Sequence, residues 1–145
     1  MPTFLIRKLK AEDAEDIRGI AEAITRDSEK IDFNNLVERQ LQNDENASFV
    51  SECEGKVVGY MLSYSISGSF GIEKSAWIAM LGVDPKFMGQ GIGKMLAEEI
   101  FKYYKRKGIK HIYTSVRWDS TDLLSFFHSL DFDRTDFINL GKYLE

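Results

Sequence analysis

L-G-V-D-P-K-F-M-G-Q-G-I-G-K-M-L, residues 81–96, joins two kinds of hydrophobic period. Before it lies an apolar run, 76–83, broken only by Gly82, which stops at Asp84-Pro85. A proline has no N–H to give a ladder, so a strand is predicted to end there. After it come three glycines at alternate positions, Gly89, Gly91 and Gly93, and then Ile92, Met95, Leu96, Ile100, Tyr103 and Tyr104 at helical spacing. The stretch therefore predicts a strand, a short loop, a glycine-rich turn and an amphipathic helix.

That order of elements suits an anion. Successive backbone N–H groups can converge on a phosphate only where φ is unusual and no Cβ stands in the way. Gly89, Gln90, Gly91, Ile92, Gly93 and Lys94 can supply the donors. The first turn of the helix adds unpaired N–H groups and the positive end of its dipole, and Lys94 adds a charge. A tight turn alone would also use one or two glycines, but three at alternate positions opening a long helix favour the phosphate. A Walker loop would need glycine in place of Met88 and a hydroxyl in place of Met95. A dinucleotide fingerprint would need glycine at Lys94 or Leu96. Neither motif is present.

The stretch resembles the acetyl-CoA loop of the GNAT superfamily of N-acetyltransferases, a strand ending in V-x-P followed by [RQ]-x-x-G-x-[GA] at the start of a helix. Val83, Pro85, Gly91 and Gly93 fall in register, while Met88 stands where the family has Arg or Gln. A later family motif, N-x-x-A-x-x-[LF]-Y-x-x-x-G-F, is matched mainly by position. Ser120 stands at its asparagine, Leu123 at its alanine, Phe127 at its tyrosine and Asp131 at its glycine, and Phe132 is retained.

The rest of the chain fits one soluble domain. Its 145 residues, 43% apolar and 29% charged, suit a single core over 1–145. A net charge of −4 and a pI near 5.3 argue against a nucleic-acid partner, which would call for a basic face. No apolar run is long enough for a membrane span and no signal-peptide pattern opens the chain, so a cytoplasmic location is expected. Cys53 is the only cysteine and excludes an internal disulfide. With only His111 and His128 to partner it, neither a cysteine nucleophile nor a metal site is supported.

Taken in order, the chain predicts a strand at 3–9, a helix around Ile17, Ile20, Ala21 and Ile24, and a second around Phe33, Leu36, Val37 and Leu41. A hairpin of two strands follows at 47–53 and 56–66, then a loop at 68–71 leading to the strand before the glycines. Lys105, Arg106 and Lys107 before Gly108 close the long helix, their charges placed to compensate its dipole. A strand at 111–116 comes next, then a short helix capped by Asp119 or Ser120, and a closing pair of strands at 132–136 and 138–144. The expected fold is an α/β (α+β) domain, a mixed, mostly antiparallel sheet flanked by about four helices in the order β-α-α-β-β-β-α-β-α-β-β. This is also the GNAT order.

The resemblance implies transfer of an acetyl group from acetyl-CoA to a primary amine of a small molecule, peptide or protein, without a covalent enzyme intermediate and without a metal. The backbone of Leu81, Gly82 and Val83 would pair with the pantetheine arm, with Gly82 suited to a bulge where the sheet splays. Ser120 and Phe127 would approach the arm from the other side. Val83 N–H would polarise the thioester oxygen, and Ser120 is a candidate proton source. No carboxylate lies on the strand at Trp77, Ile78, Ala79 and Met80, which leaves Asp32, Glu73, Asp119, Tyr60 and Tyr64 as candidate bases. A CoA-binding module without turnover is the alternative, resting on Met88 and Phe127. The apolar closing segments make a homodimer an expected assembly.

Overall fold

The structure, a computed structural model, describes residues 2–25, 31–67 and 73–145. The chain forms two compact units, 1–113 and 114–145. Among the described residues the elements of the first unit are β1 (Leu5–Lys8), a 3-10 turn (Ala11–Asp13), α1 (Ala14–Ile24), α2 (Phe33–Leu41), β2 (Phe49–Cys53), β3 (Lys56–Ile66), β4 (Ser75–Val83), a 3-10 turn (Pro85–Phe87), α3 (Ile92–Arg106) and most of β5 (Ile112–Thr114). The loop expected at 68–71 lies outside the described residues.

The sheet follows chain order, β1-β2-β3-β4-β5, with the first four strands antiparallel. Glu54 and Gly55 turn the β2-β3 hairpin with φ of 52° and 80°, the positive values that a two-residue turn needs to match strand twist. β4 pairs with β3 from Ser75 opposite Ile66 to Val83 opposite Gly59, and the register slips by one residue between Leu62 and Ser63. The extra residue is Ala79, so the bulge expected at Gly82 sits three residues earlier. Gly82 instead faces Tyr60 squarely.

Consecutive β3 residues show why both faces of the sheet are covered. Tyr60 and Leu62 join Ile17, Ile20, Ala21, Phe33 and Val37 of α1 and α2 in one buried cluster. Gly59 points the other way, against Ile92 and Leu96 of α3. Ile92, Leu96, Ile100 and Tyr104 form the buried stripe of that helix, at the spacing read from the sequence. Tyr104 adds a polar anchor: its hydroxyl accepts from Ala47 N–H at 3.0 Å and lies 2.7 Å from Ser63 Oγ. On the other side Arg7 grips both Asp13 oxygens and Glu52, tying β1 to the turn before α1 and to β2.

The second unit contains α4 (Thr121–Ser129). The closing strands expected at 132–136 and 138–144 do not form; these residues carry no strand in the structure. Phe132 is the one apolar residue of the first segment and Ile138 and Leu140 alternate only briefly in the second, and a strand also needs a partner edge. Phe137, Ile138, Leu140, Tyr143 and Leu144 are left exposed.

Candidate active site

The glycine turn is built for backbone donors. Gly89 and Gly91 have φ of 82° and 78°, and a Cβ at either would meet nothing within 4 Å. Glycine is there for its conformation and for bare space outside, since no neighbouring atom demands it. Gly91 is the N-cap of α3 and makes no side-chain cap bond, and the first closed turn is Met95 N–H to Gly91 O at 3.1 Å. The N–H groups of Ile92, Gly93 and Lys94 consequently precede any intrahelical acceptor. They open outward beside the exposed Lys94.

Gly59 sets the position of this donor array, and the sequence reading passed over it. A Cβ on Gly59 would lie 2.8 Å from Ile92 Cγ2 and 3.5 Å from Leu96 Cδ1, so its absence lets the first turn of α3 rest on the sheet. The signal was a glycine inside the β-branched run K-V-V-G-Y-M-L.

On the other side of the turn, β4 delivers the strand end. Asp84 caps the 3-10 turn by accepting from Lys86 N–H at 3.0 Å, and its own N–H donates to Val58 O at 2.8 Å, which fixes where β4 stops. Ala76 N–H donates to His111 O at 3.0 Å, so the start of β4 lies beside the start of β5, its neighbour in the sheet. A three-residue strand beginning there ends well short of Leu81. Leu81, Gly82 and Val83 pair with Met61, Tyr60 and Gly59 of β3. Gly82 is a packing glycine: its missing Cβ would lie 2.8 Å from Tyr60 Cε1. The structure thus brings Leu81, Gly82 and Val83 together with the turn from Gly89 to Lys94, and Met88 between them is extended and exposed.

Ser120 and Phe127 belong to the second unit. Ser120 stands at the N-cap of α4 without spending its hydroxyl on the cap, and Phe127 is buried edge-on against Phe126 and Phe132. Among the candidate bases, Asp32 is occupied as the α2 cap, accepting from Asn35 N–H at 3.1 Å. Asp119 is held by Arg117 at 3.0 and 3.1 Å, and that hydrogen bond keeps its carboxyl below the usual range, which makes it a weak proton acceptor. Tyr60 is pushed up to about 12 by burial and keeps its proton at neutral pH. Glu73 is exposed and Tyr64 half-buried. Among the described residues no three His, Cys, Asp or Glu side chains are grouped to hold a metal ion, and no helix is long and apolar enough to cross a membrane.

Comparison with known proteins gives the family. Residues 12–132 match the family described as Acetyltransferase (GNAT) family. An acetyltransferase of Pectobacterium atrosepticum, ECA0875, is 33% identical over 109 residues, which is 74% of this chain and 72% of that protein. Among solved structures, the aminoglycoside N-acetyltransferase AAC(6')-Iy in complex with CoA superposes with a TM-score of 0.82 at 18% identity, over 99% of this chain and 96% of the other. The aminoglycoside acetyltransferase meta-AAC0020 from an uncultured soil metagenomic sample, in complex with sisomicin, gives 0.77 at 22% identity, over 98% and 97%. Both share the mixed sheet and four helices described above, so the expected fold class holds.

Proposed function

The chain belongs to the acetyltransferase (GNAT) family and is an acyltransferase, and from that premise we propose that it moves an acetyl group from acetyl-CoA to a primary amine. The observation that carries the proposal is the left-handed Gly91 at the head of α3, with the N–H groups of Ile92, Gly93 and Lys94 unspent beside an open strand end. Such an array suits a pyrophosphate, and the open backbone of Leu81 to Val83 suits an amide-bearing arm laid along it like a strand.

In this reading the free amine attacks the thioester carbon, the tetrahedral oxygen is met by Val83 N–H, and CoA leaves as a thiolate. An alkyl amine with pKa about 10.4 must lose a proton first, at a cost of about 4.6 kcal/mol at pH 7. With Asp32 and Asp119 already bound to other groups and Tyr60 protonated, that proton passes through water, with Glu73 and Tyr64 as the remaining side-chain candidates. The thiolate, with a pKa near 8.5, departs without a strong acid and takes its proton from water or from Ser120. The whole chain acts as one cytoplasmic catalytic domain. Its net charge of −4 favours approach of a cationic acceptor over a nucleic acid.

Thiol release from acetyl-CoA, measured with a panel of aminoglycosides, polyamines and peptides with free amino groups, tests the proposal. Turnover with at least one amine is expected. Tight CoA binding with no transfer to any acceptor would instead favour a module that holds CoA without using it.

A further inference from the structure

At the opposite end of α3 from the glycine turn lies a cavity of about 340 Å³, within the first unit, walled by Lys8, Gln40, Asn43, Asn46, Tyr103 and Lys107 among others. We propose that it is a second binding site, for a small phosphate-bearing dianion. The charges point that way first. Lys8 Nζ and Lys107 Nζ each stand 5.5 Å from the centroid of the Tyr103 ring, so the two ammonium groups are no farther apart than twice that distance. Among the described residues neither comes within salt-bridge distance of a carboxylate, although ion pairs are made elsewhere on the surface. Glu45, whose carboxyl feels the charge of Lys107, is already held by Lys74 at 2.9 Å. Asp44 lines the cavity too, and its backbone carbonyl is taken by the Tyr103 hydroxyl.

The amides point the same way independently. Asn43 Oδ1 accepts from Glu45 N–H at 2.9 Å, and Asn46 Oδ1 accepts from Ser65 N–H at 3.0 Å. A backbone N–H can only donate, so both amides are fixed with oxygen engaged and the NH2 group on the other branch. Gln40 follows, its Oε1 accepting from Ser48 Oγ at 3.0 Å. Three amides with NH2 donors that these bonds leave over and two ammonium groups therefore stand on the cavity's walls against one carboxylate, Asp44, and the complement of a wall so weighted toward donors is a ligand made of acceptors. A phosphate supplies three such oxygens and the charge to relieve two neighbouring cations. The volume leaves room for an ester's organic remainder.

Compensation of the α3 dipole accounts for Lys107, which is the C-cap of that helix, but not for Lys8 on β1 at the same ring nor for the amide orientations. Nor is this the cofactor's phosphate site, because fifteen helical residues separate the two ends of α3 by roughly 22 Å. The proposal stands whether or not the acetyl-transfer reading does.

NMR titration of isotopically labelled protein at constant ionic strength, once with inorganic phosphate and once with glycerol 1-phosphate, tests it. Saturable shifts are expected in the side-chain NH2 signals of Gln40, Asn43 and Asn46 and in the backbone near Tyr103 and Lys107, and the tighter of the two probes identifies free phosphate or an ester as the source. Lys8→Met and Lys107→Met should each weaken binding about tenfold or more. Asn46→Asp keeps the acceptor for Ser65 N–H while replacing the donor by a negative charge, and should abolish it. Both lysines are exposed and their replacement leaves the core intact. Shifts confined to residues 89–94, or binding unchanged in the double Lys8→Met/Lys107→Met protein, would overturn the site.

Discussion

Gly91 holds φ at 78° with open space where a side chain would begin, which separates two effects that usually travel together. A valine there clashes with nothing in the protein, so its cost to folding is the left-handed backbone itself, about 1 to 2 kcal/mol. Its cost to a ligand is larger, because the branched side chain occupies the space in front of the donors. Gly91→Val is expected to lower acetyl-CoA affinity about tenfold or more while leaving a folded protein, with calorimetry and thermal unfolding as the two readouts. Unchanged affinity in a folded variant would remove the glycine turn from the site. Tyr60 gives a residue-scale prediction of another kind. Burial raises its phenol from 10 to about 12, so the folded state holds a proton between those values that the unfolded state has lost. The stabilisation is fully present below pH 10 and disappears as pH rises through 12, a change on the order of 2 to 3 kcal/mol. Denaturant unfolding from pH 9 to 12 should show wild type losing stability more steeply than Tyr60→Phe. Parallel curves would mean the ring is less buried than the structure shows.

At the scale of elements, α3 is aimed by one missing side chain. Ile92 is β-branched and stiff in a helix, so it cannot turn its Cγ2 away from a Cβ placed 2.8 Å from it on Gly59. Gly59→Ala should cost about 1 to 3 kcal/mol and weaken acetyl-CoA binding by lifting the first turn of α3. Adding Ile92→Ala should recover part of both, and strict additivity of the two substitutions would refute the contact. For α4 the expectation concerns chemistry. Phe127 carries no proton and packs on Phe126 and Phe132, while the Ser120 hydroxyl is not engaged by the helix it begins. Phe127→Leu should therefore keep appreciable turnover, and Ser120→Ala should lose no more than the 10²- to 10⁴-fold typical of one proton-transfer group. Loss of all transfer in Phe127→Leu with acetyl-CoA affinity intact would reveal a direct role for the ring. These elements were legible because their signals are local: apolar spacing for α1 to α3, Asp84-Pro85 for the end of β4, alternate glycines for the turn. Gly59 was not, because its reason is a helix 33 residues later in the chain. The bulge at Ala79 in place of Gly82 had the same cause, since the Tyr60 ring that needs the space comes from another strand.

At the scale of the whole molecule, the C-terminal segment is the feature that the fold leaves unfinished. Ile138, Leu140, Tyr143 and Leu144 are between 78% and 86% exposed, a density of exposed apolar side chains that globular proteins normally cover. The segment is apolar enough to pair, yet residues 137–144 form no strand, which is the behaviour of a segment whose pairing edge lies elsewhere. A second copy is the simplest provider. It presents the same segment and the same sheet, and two-fold pairing covers both tails at once. We therefore expect a homodimer whose stability resides in residues 137–144. Light scattering over a micromolar concentration series should give twice the chain mass, and a protein ending at Asp136 should give one chain mass with its acetyl-CoA affinity retained, because the glycine turn and β4 lie wholly in the first unit. Monomer at every concentration in the 145-residue chain would sink the assembly. A dimer that survives the truncation would place the interface on another surface.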